Sequence, residues 1–218
     1  MTLGLRRYAR PAQTAGAGVP DQPAQRCEIC GVELGGPHGH VVALDERALR
    51  CVCRPCHLLF APAGAGARRI RAVPGRYLTD PAHRLADEDW DLLQIPALPV
   101  FIFVNSDLDR AVACYPSPAG VTESTLELDG CTRLERTYPL VRALAVDVEA
   151  VYVTRTGDGL EAYLVPIDAC FAVAGTVRLH WRGPDGGEAV RQAMTTFVQD
   201  LRARSRPLSR TPAVTREG

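Results

Sequence analysis

Hydrophobic residues in the middle of the chain fall into five short runs, which are either nearly all apolar or alternate with polar residues. A run of this length and pattern is typical of a β-strand. Polar or Gly-containing turns separate the first run from the second and the fourth from the fifth, which predicts two β-hairpins. The predicted strands cover residues 98–104, 110–115, 123–128, 148–154 and 160–165.

The hydrophobic spacing changes to a helical period after Pro166. A proline in the first turn and Asp168 close behind it suit the start of a helix. A second amphipathic helix is predicted over residues 188–204, after a Gly-rich break, and a short helix over 87–93 precedes the strands. Antiparallel strands followed by two helices predict an α+β domain over residues 86–206.

Four cysteines near the N-terminus form two C-x-x-C pairs, Cys27 with Cys30 and Cys53 with Cys56. Each pair can place two thiolates on one side of a metal ion, and the loop between the pairs can bring the second pair round to complete a tetrahedral shell. This loop has 22 residues, and Cys51 could shorten it to 20 by replacing Cys53 as a ligand. We predict a metal site built from Cys27, Cys30, Cys53 and Cys56.

Two metals suit four thiolates. A structural Zn²⁺ would hold together a segment too small to bury a core of its own. A mononuclear iron centre would resemble rubredoxin, which also uses two C-x-x-C pairs, and ligand softness does not separate the two ions. The segment offers only Phe60 for aromatic packing, which favours zinc over iron.

A third pattern overlaps the second pair. Residues 53–57 match the C-x-x-C-H sequence of c-type haem attachment. That chemistry requires export, and residues 1–20 have no apolar stretch of the length that a signal peptide needs. We therefore interpret Cys53 and Cys56 as metal ligands.

The histidines near the cysteines raise a different chemistry. The order of a cysteine pair, His40 before apolar residues, and a final pair followed by His57 resembles the treble-clef scaffold of HNH nucleases. That resemblance implies water activation by His40 and a second metal on His57. Gly39 stands where the family usually has an acid or a histidine, and the Asn of the family motif is missing, so the resemblance favours the treble-clef shape over nuclease activity. In the alternative, His57 hydrogen-bonds a thiolate while His38 and His40 lie on a solvated loop.

Composition sets outer bounds on function. The 25 basic residues, all of them arginine, balance 25 acidic residues, so no net charge attracts the chain to nucleic acid or lipid. No run of 18 apolar residues predicts a membrane span. The eight cysteines, without a secretory signal, favour metal binding over disulfides. We expect a cytoplasmic protein from a GC-rich bacterium.

The chain divides into five predicted segments. Residues 1–25 are predicted to be disordered, and 26–60 form the metal module, with a short helix from residue 53 to 60. Residues 61–85 form a linker with a short edge strand after its Gly/Ala-rich part. The α+β domain at 86–206 and a polar tail at 207–218 follow.

Few residues of the α+β domain suggest chemistry. It has no phosphate-binding loop, nucleophile elbow or dinucleotide fingerprint. Asp147 and Glu149 lie two residues apart and would point to one face of a strand. Two carboxylates this close could serve acid–base or metal chemistry, but solvation at a strand edge is the expected explanation. Cys114, Cys131 and Cys170 are expected to be small buried hydrophobic residues.

Several segments resemble an uncharacterised family of actinobacterial proteins that are encoded beside [NiFe]-hydrogenase genes. The resemblance covers most of residues 26–206 and lies chiefly in WDLLQIP, ACYPSPAGVTES, DVEAVYV, YLVPIDACFAVAGTVRLHWRG and GGEAV…FVQDLRARS, while the C-x-x-C pairs match the N-terminal part of the family. It implies an accessory protein for hydrogenase assembly, maturation or electron supply, and it transfers no catalytic residue.

The hypothesis from the sequence is a non-enzymatic, zinc-binding accessory protein that contacts a protein partner, either a hydrogenase subunit or a maturation factor. The first alternative is a rubredoxin-like iron carrier that serves hydrogenase. The second is a degenerate HNH-like nuclease that uses His40.

Overall fold

The computed structural model describes most of the chain between residues 25 and 209. The described residues are 25–61, 69–91, 93, 95, 97–124, 131–157, 159–183 and 185–209. Our predictions for residues 1–24, for the Gly/Ala-rich loop at 62–68 and for most of the C-terminal tail lie outside them.

A small antiparallel sheet lies beside the cysteine pairs. Its strands are β1 (Gly39–Ala43), β2 (Ala48–Val52) and β3 (Ile70–Ala72), in the order β2-β1-β3. Helix α1 (Arg54–Leu59) begins directly after Cys53 and has proline in its first turn. The short helix predicted to begin at the second cysteine pair and the predicted edge strand are both confirmed.

A seven-stranded sheet forms the larger part of the molecule. Its strands are β4 (Leu78–Thr79), β5 (Val100–Asn105), β6 (Arg110–Ser117), β7 (Gly120–Glu123), β8 (Glu149–Thr156), β9 (Gly159–Pro166) and β10 (Arg206–Pro207). The strand order is β10-β4-β9-β8-β5-β6-β7, and every pair except β10 with β4 is antiparallel. Both predicted hairpins, β5–β6 and β8–β9, are confirmed. The strand predicted at 123–128 differs: β7 ends at Glu123, and residues 125–128 lie outside the described part.

Five helices accompany this sheet. They are α2 (Asp87–Asp91), α3 (Cys131–Thr137), α4 (Pro139–Arg142), α5 (Ile167–His180) and α6 (Gly187–Arg204). The sequence predicted α2, α5 and α6, whereas α3 and α4 were not predicted. Among the described residues, no helix is both long and apolar enough to cross a membrane.

Both faces of the large sheet are covered. Phe101 and Tyr152 lie on the face that packs against α5 and α6, with Leu201 of α6 fully buried there. Val100 and Val153 face the opposite cluster, which α2, α3 and α4 complete. A strand buried on both faces needs apolar residues at successive positions, which explains the continuous apolar run of β5. The α+β class, with the sheet followed by two C-terminal helices, is confirmed.

Two buried carboxylates at the start of β8 bind arginines from β3 and from the segment that follows it. Asp147 accepts a hydrogen bond from the Ser106 hydroxyl at 2.7 Å and pairs with Arg71 at 3.0 Å. Glu149 is fully buried and accepts two hydrogen bonds from Arg76, at 2.6 and 2.7 Å. The expectation that these carboxylates are solvated at a strand edge is therefore wrong. Burial requires a partner for each charge, and arginines from the preceding segment supply it.

Candidate metal centre

The thiol groups of the two cysteine pairs converge. The Sγ atoms of Cys27, Cys30, Cys53 and Cys56 all lie within 4.8 Å of one another, and those of Cys30 and Cys53 are 3.6 Å apart. In a tetrahedral site with metal–sulfur bonds of about 2.3 Å, neighbouring sulfurs lie roughly 3.8 Å apart. The arrangement is therefore compatible with one metal ion at its centre.

Local backbone structure positions each pair. At the first pair, the Gly31 N–H donates to the Cys27 carbonyl at 2.9 Å, and Gly31 has a φ of 76°, which favours glycine. At the second pair, Cys53 precedes α1 and its carbonyl accepts the His57 N–H at 2.9 Å. The resulting order of a cysteine turn, a β-hairpin and a helix is the one that the treble-clef resemblance implies.

A small hydrophobic core packs around the buried cysteines. Val41 and Val52 are completely buried, and Phe60 packs against them together with the buried Cys27 and Cys56. These few side chains bury little apolar surface. Such a module depends on an additional cross-link for its stability, which a metal ion would supply.

The surroundings of Cys27 and Cys56 shift the pKa values of these two thiols in opposite directions. Burial opposes ionisation of Cys27, but backbone N–H groups of Cys30, Cys53 and Ile29 outweigh it and lower the pKa of Cys27 to about 6. Burial and the neighbouring cysteine side chains raise the pKa of Cys56 to about 12. A bound cation stabilises the thiolate form of every ligand, so metal binding would release protons from the thiols that are still protonated.

The fifth cysteine of this region lies elsewhere. Cys51 sits opposite His40 in the β1–β2 register, and its Sγ accepts a hydrogen bond from Gln25 at 3.1 Å. The structure groups Cys51 with His38 and His40 rather than with the four converging thiols.

The nearby histidines are not placed as the sequence suggested. The ring of His57 donates to the Val73 carbonyl at 2.9 Å instead of bonding a thiolate. His40 belongs to β1 and is 2.7 Å from Asp168 of α5, so it does not lie on a solvated loop. The nuclease hypothesis placed a metal on His57, whose ring nitrogen is held by a carbonyl instead, so this geometry lends that hypothesis no support.

The position of Gly39, where the nuclease-like pattern is altered, has no room for a side chain. A Cβ atom at position 39 would lie 2.7 Å from Cδ2 and 3.1 Å from Cβ of His57. The His57 ring is fixed by its bond to Val73 and therefore occupies the space that a side chain at position 39 would need.

The remaining cysteines behave as expected where they are described. Cys114 and Cys170 are buried, and burial raises the pKa of both thiols. The side chain of Cys131 lies outside the described part. The seven cysteines with described side chains are all free of disulfide bonds.

A feature that sequence reasoning missed is a set of exposed apolar side chains on the metal module. Ile29 and Val32 flank Cys30 and are exposed, and Leu58 and Leu59 of α1 are 57% and 61% exposed. We call these four residues the apolar rim. Their positions offered a signal: residues next to metal ligands in a small module have little interior to enter.

Of three comparisons with known proteins, one finds a match. No curated protein and no solved structure matches the chain. A model described as a family of unknown function, DUF5947, matches residues 26–205, a range that includes both cysteine pairs and the large sheet. The chain therefore belongs to the DUF5947 family.

Proposed function

We propose that the protein is a non-enzymatic, zinc-binding accessory protein whose metal module contacts a protein partner. The observation that carries this proposal is the apolar rim, which lies within three residues of the converging cysteines. The fold of the module holds the rim residues in place. Zinc would therefore support partner binding by stabilising that fold.

The chemistry of the ligand set favours a structural ion. Four cysteine thiolates fill a tetrahedral shell and leave no position for substrate or water, which is the pattern of structural rather than catalytic zinc. Zinc also undergoes no redox change, so it would hold the cysteine turn against α1 under reducing conditions.

The exposure of the rim favours a protein partner. Among the described residues, the only other large hydrophobic side chains with comparable exposure are Leu108 and Leu179. Apolar side chains concentrated on one small module are typical of an interaction surface, whereas single exposed ones are ordinary. The balanced charge of the chain gives no corresponding argument for nucleic acid.

The identity of the partner is proposed from the sequence resemblance. The segments that resemble proteins encoded beside [NiFe]-hydrogenase genes point to a hydrogenase subunit or a maturation factor, and assembly or maturation of the enzyme as the process. Such an encounter would take place in the cytoplasm.

Co-purification tests this proposal. We would mix the zinc-loaded chain with purified [NiFe]-hydrogenase subunits and maturation factors, and compare it with a Leu58→Asp/Leu59→Asp variant. Leu179→Asp is the matched control, because Leu179 is exposed on α5 and lies outside the metal module. The proposal expects loss of binding only in the double variant. Equal binding by all three chains, or by none, would contradict it.

The same four thiolates would also suit iron, which is the electron-carrier alternative. Ligand softness does not distinguish the two ions. A tetrathiolate iron centre absorbs visible light, whereas zinc does not, so the spectrum of the protein purified without added metal separates these hypotheses.

A further inference from the structure

A second group of side chains that could hold a metal ion lies at the β1–β2 hairpin. One ring nitrogen each of His38 and His40 and the Sγ atom of Cys51 lie within 4.8 Å of one another. His40 and Cys51 are directly opposite in the antiparallel register. His38 lies directly before β1, and its ring is 5.0 Å from the ring of His40, edge to face. Backbone pairing therefore holds His40 beside Cys51, and the ring contact places His38 next to them.

Both histidines have one ring nitrogen already oriented. Nδ1 of His38 is 3.1 Å from the Gly36 carbonyl, and Nδ1 of His40 is 2.7 Å from the Asp168 carboxylate. Metal-binding histidines commonly donate one N–H to a carbonyl or a carboxylate, which fixes the tautomer and turns the other nitrogen into the ligand. In both rings that other nitrogen is Nε2.

The second nitrogen of His38 supplies an independent observation. Nε2 of His38 is buried, and it has no hydrogen-bond partner among the described residues. A buried polar atom without a partner is costly, and native proteins rarely leave one. A metal ion bound at Nε2 would remove this cost.

We propose that Nε2 of His38, Nε2 of His40 and Sγ of Cys51 form a second metal site, distinct from the four-cysteine site. Two imidazoles and a thiolate suit Zn²⁺ or Co²⁺. In a tetrahedral site their ligand atoms would lie roughly 3.4–3.6 Å apart, so a small contraction of the observed cluster would bring the three ligands to bonding distance of one ion.

This second site differs in character from the first. Three protein ligands leave one position for water or an exchangeable ligand, which is the arrangement of open rather than structural sites. The side chains of His40 and Asp168 are about one quarter exposed, so solvent reaches this pair. Asp168 lies on α5, and metal binding at His40 would therefore also strengthen the contact between the small sheet and the α+β domain.

Metal stoichiometry tests the proposal directly. We would dialyse the full chain against Zn²⁺ and count bound ions by mass spectrometry in the wild type, in His38→Ala, and in His83→Ala. His83 is a matched control because it pairs with Asp80 outside the cluster. We expect two ions per chain in the wild type and the control and one in His38→Ala. One ion in the wild type, or two in His38→Ala, would overturn the proposal.

A measurement on the wild type alone avoids variants that fail to fold. Cadmium-113 NMR separates a site with four sulfur ligands from one with two nitrogens and one sulfur by chemical shift. Two resonances, one in each region, support the second site, and a four-sulfur resonance alone would overturn it. Absence of the four-sulfur resonance would instead contradict the proposed structural zinc, so the two proposals fail separately.

Discussion

The buried pair of Arg76 and Glu149 gives the sharpest prediction about stability. Glu149 is 0% exposed, and its carboxylate accepts two hydrogen bonds from Arg76 and one from the Ala145 N–H at 2.8 Å. The substitution Arg76→Met keeps the unbranched stem and removes the charge, which leaves a buried carboxylate with one remaining donor.

The size of the effect follows from burial. Breaking a buried ion pair by removing one partner costs about 3–5 kcal/mol. The side chain of Arg76 is 45% exposed, so water partly replaces it and we take the lower end, about 3 kcal/mol. For a chain of this size, that loss lowers the melting temperature by roughly 6–12 °C.

Urea denaturation of the wild type, Arg76→Met, Glu149→Gln and the double variant measures the coupling between the two side chains. Arg155→Met is the control, because its pair with Asp87 is exposed on both sides and such pairs contribute about 1 kcal/mol or less. A loss below about 1 kcal/mol in Arg76→Met, or one equal to that of Arg155→Met, would refute the reasoning.

Two further predictions concern packing and pH. Gly39→Ala should destabilise the protein by about 1–3 kcal/mol, because the added methyl group collides with the fixed ring of His57; thermal melting measures this. The hydrogen bond from Arg202, with smaller contributions from Tyr163 and Thr156, lowers the pKa of Glu161 to about 2. Because the folded pKa lies below the unfolded value, the stabilisation is complete above about pH 4.5 and is lost as the pH falls towards 2. Arg202 is half exposed, so we expect Glu161→Gln to remove about 1–2 kcal/mol of this pH-dependent stability.

Controls make both results decisive. Gly35→Ala adds a methyl group where nothing lies within 4 Å, so it should leave the melting temperature nearly unchanged; an equal effect at positions 35 and 39 would contradict the packing argument. For the pH prediction, identical slopes of unfolding free energy between pH 5 and pH 2 in the wild type and Glu161→Gln would show that Glu161 contributes nothing.

Local patterns were sufficient for the elements that the sequence predicted correctly. The hairpins β5–β6 and β8–β9 combine apolar strands with short polar turns, and α5 and α6 begin after proline or glycine and keep a helical period. The short helices α3 and α4 carry too few apolar residues for a periodic signal. Leu134 and Tyr138 are buried because they pack in one cluster with residues of the large sheet and of α2.

Contacts between distant segments explain what the sequence did not reveal. Arg76 is 73 residues from Glu149, and His40 is 128 residues from Asp168, so no local pattern could pair them. The four converging cysteines were found because their ligand spacing is local and specific. Grouping Cys51 with His40 required the β1–β2 register, which the sequence pattern alone does not fix.

Metal content with a visible spectrum, on the wild type and on a Cys27→Ser/Cys56→Ser variant, tests the central claim most directly. Both substitutions remove buried ligands from the converging group. We expect zinc and no visible colour in the wild type, and loss of that zinc together with the folded metal module in the variant. Iron with thiolate absorption, or a folded module without any metal, would contradict a structural zinc held by Cys27, Cys30, Cys53 and Cys56.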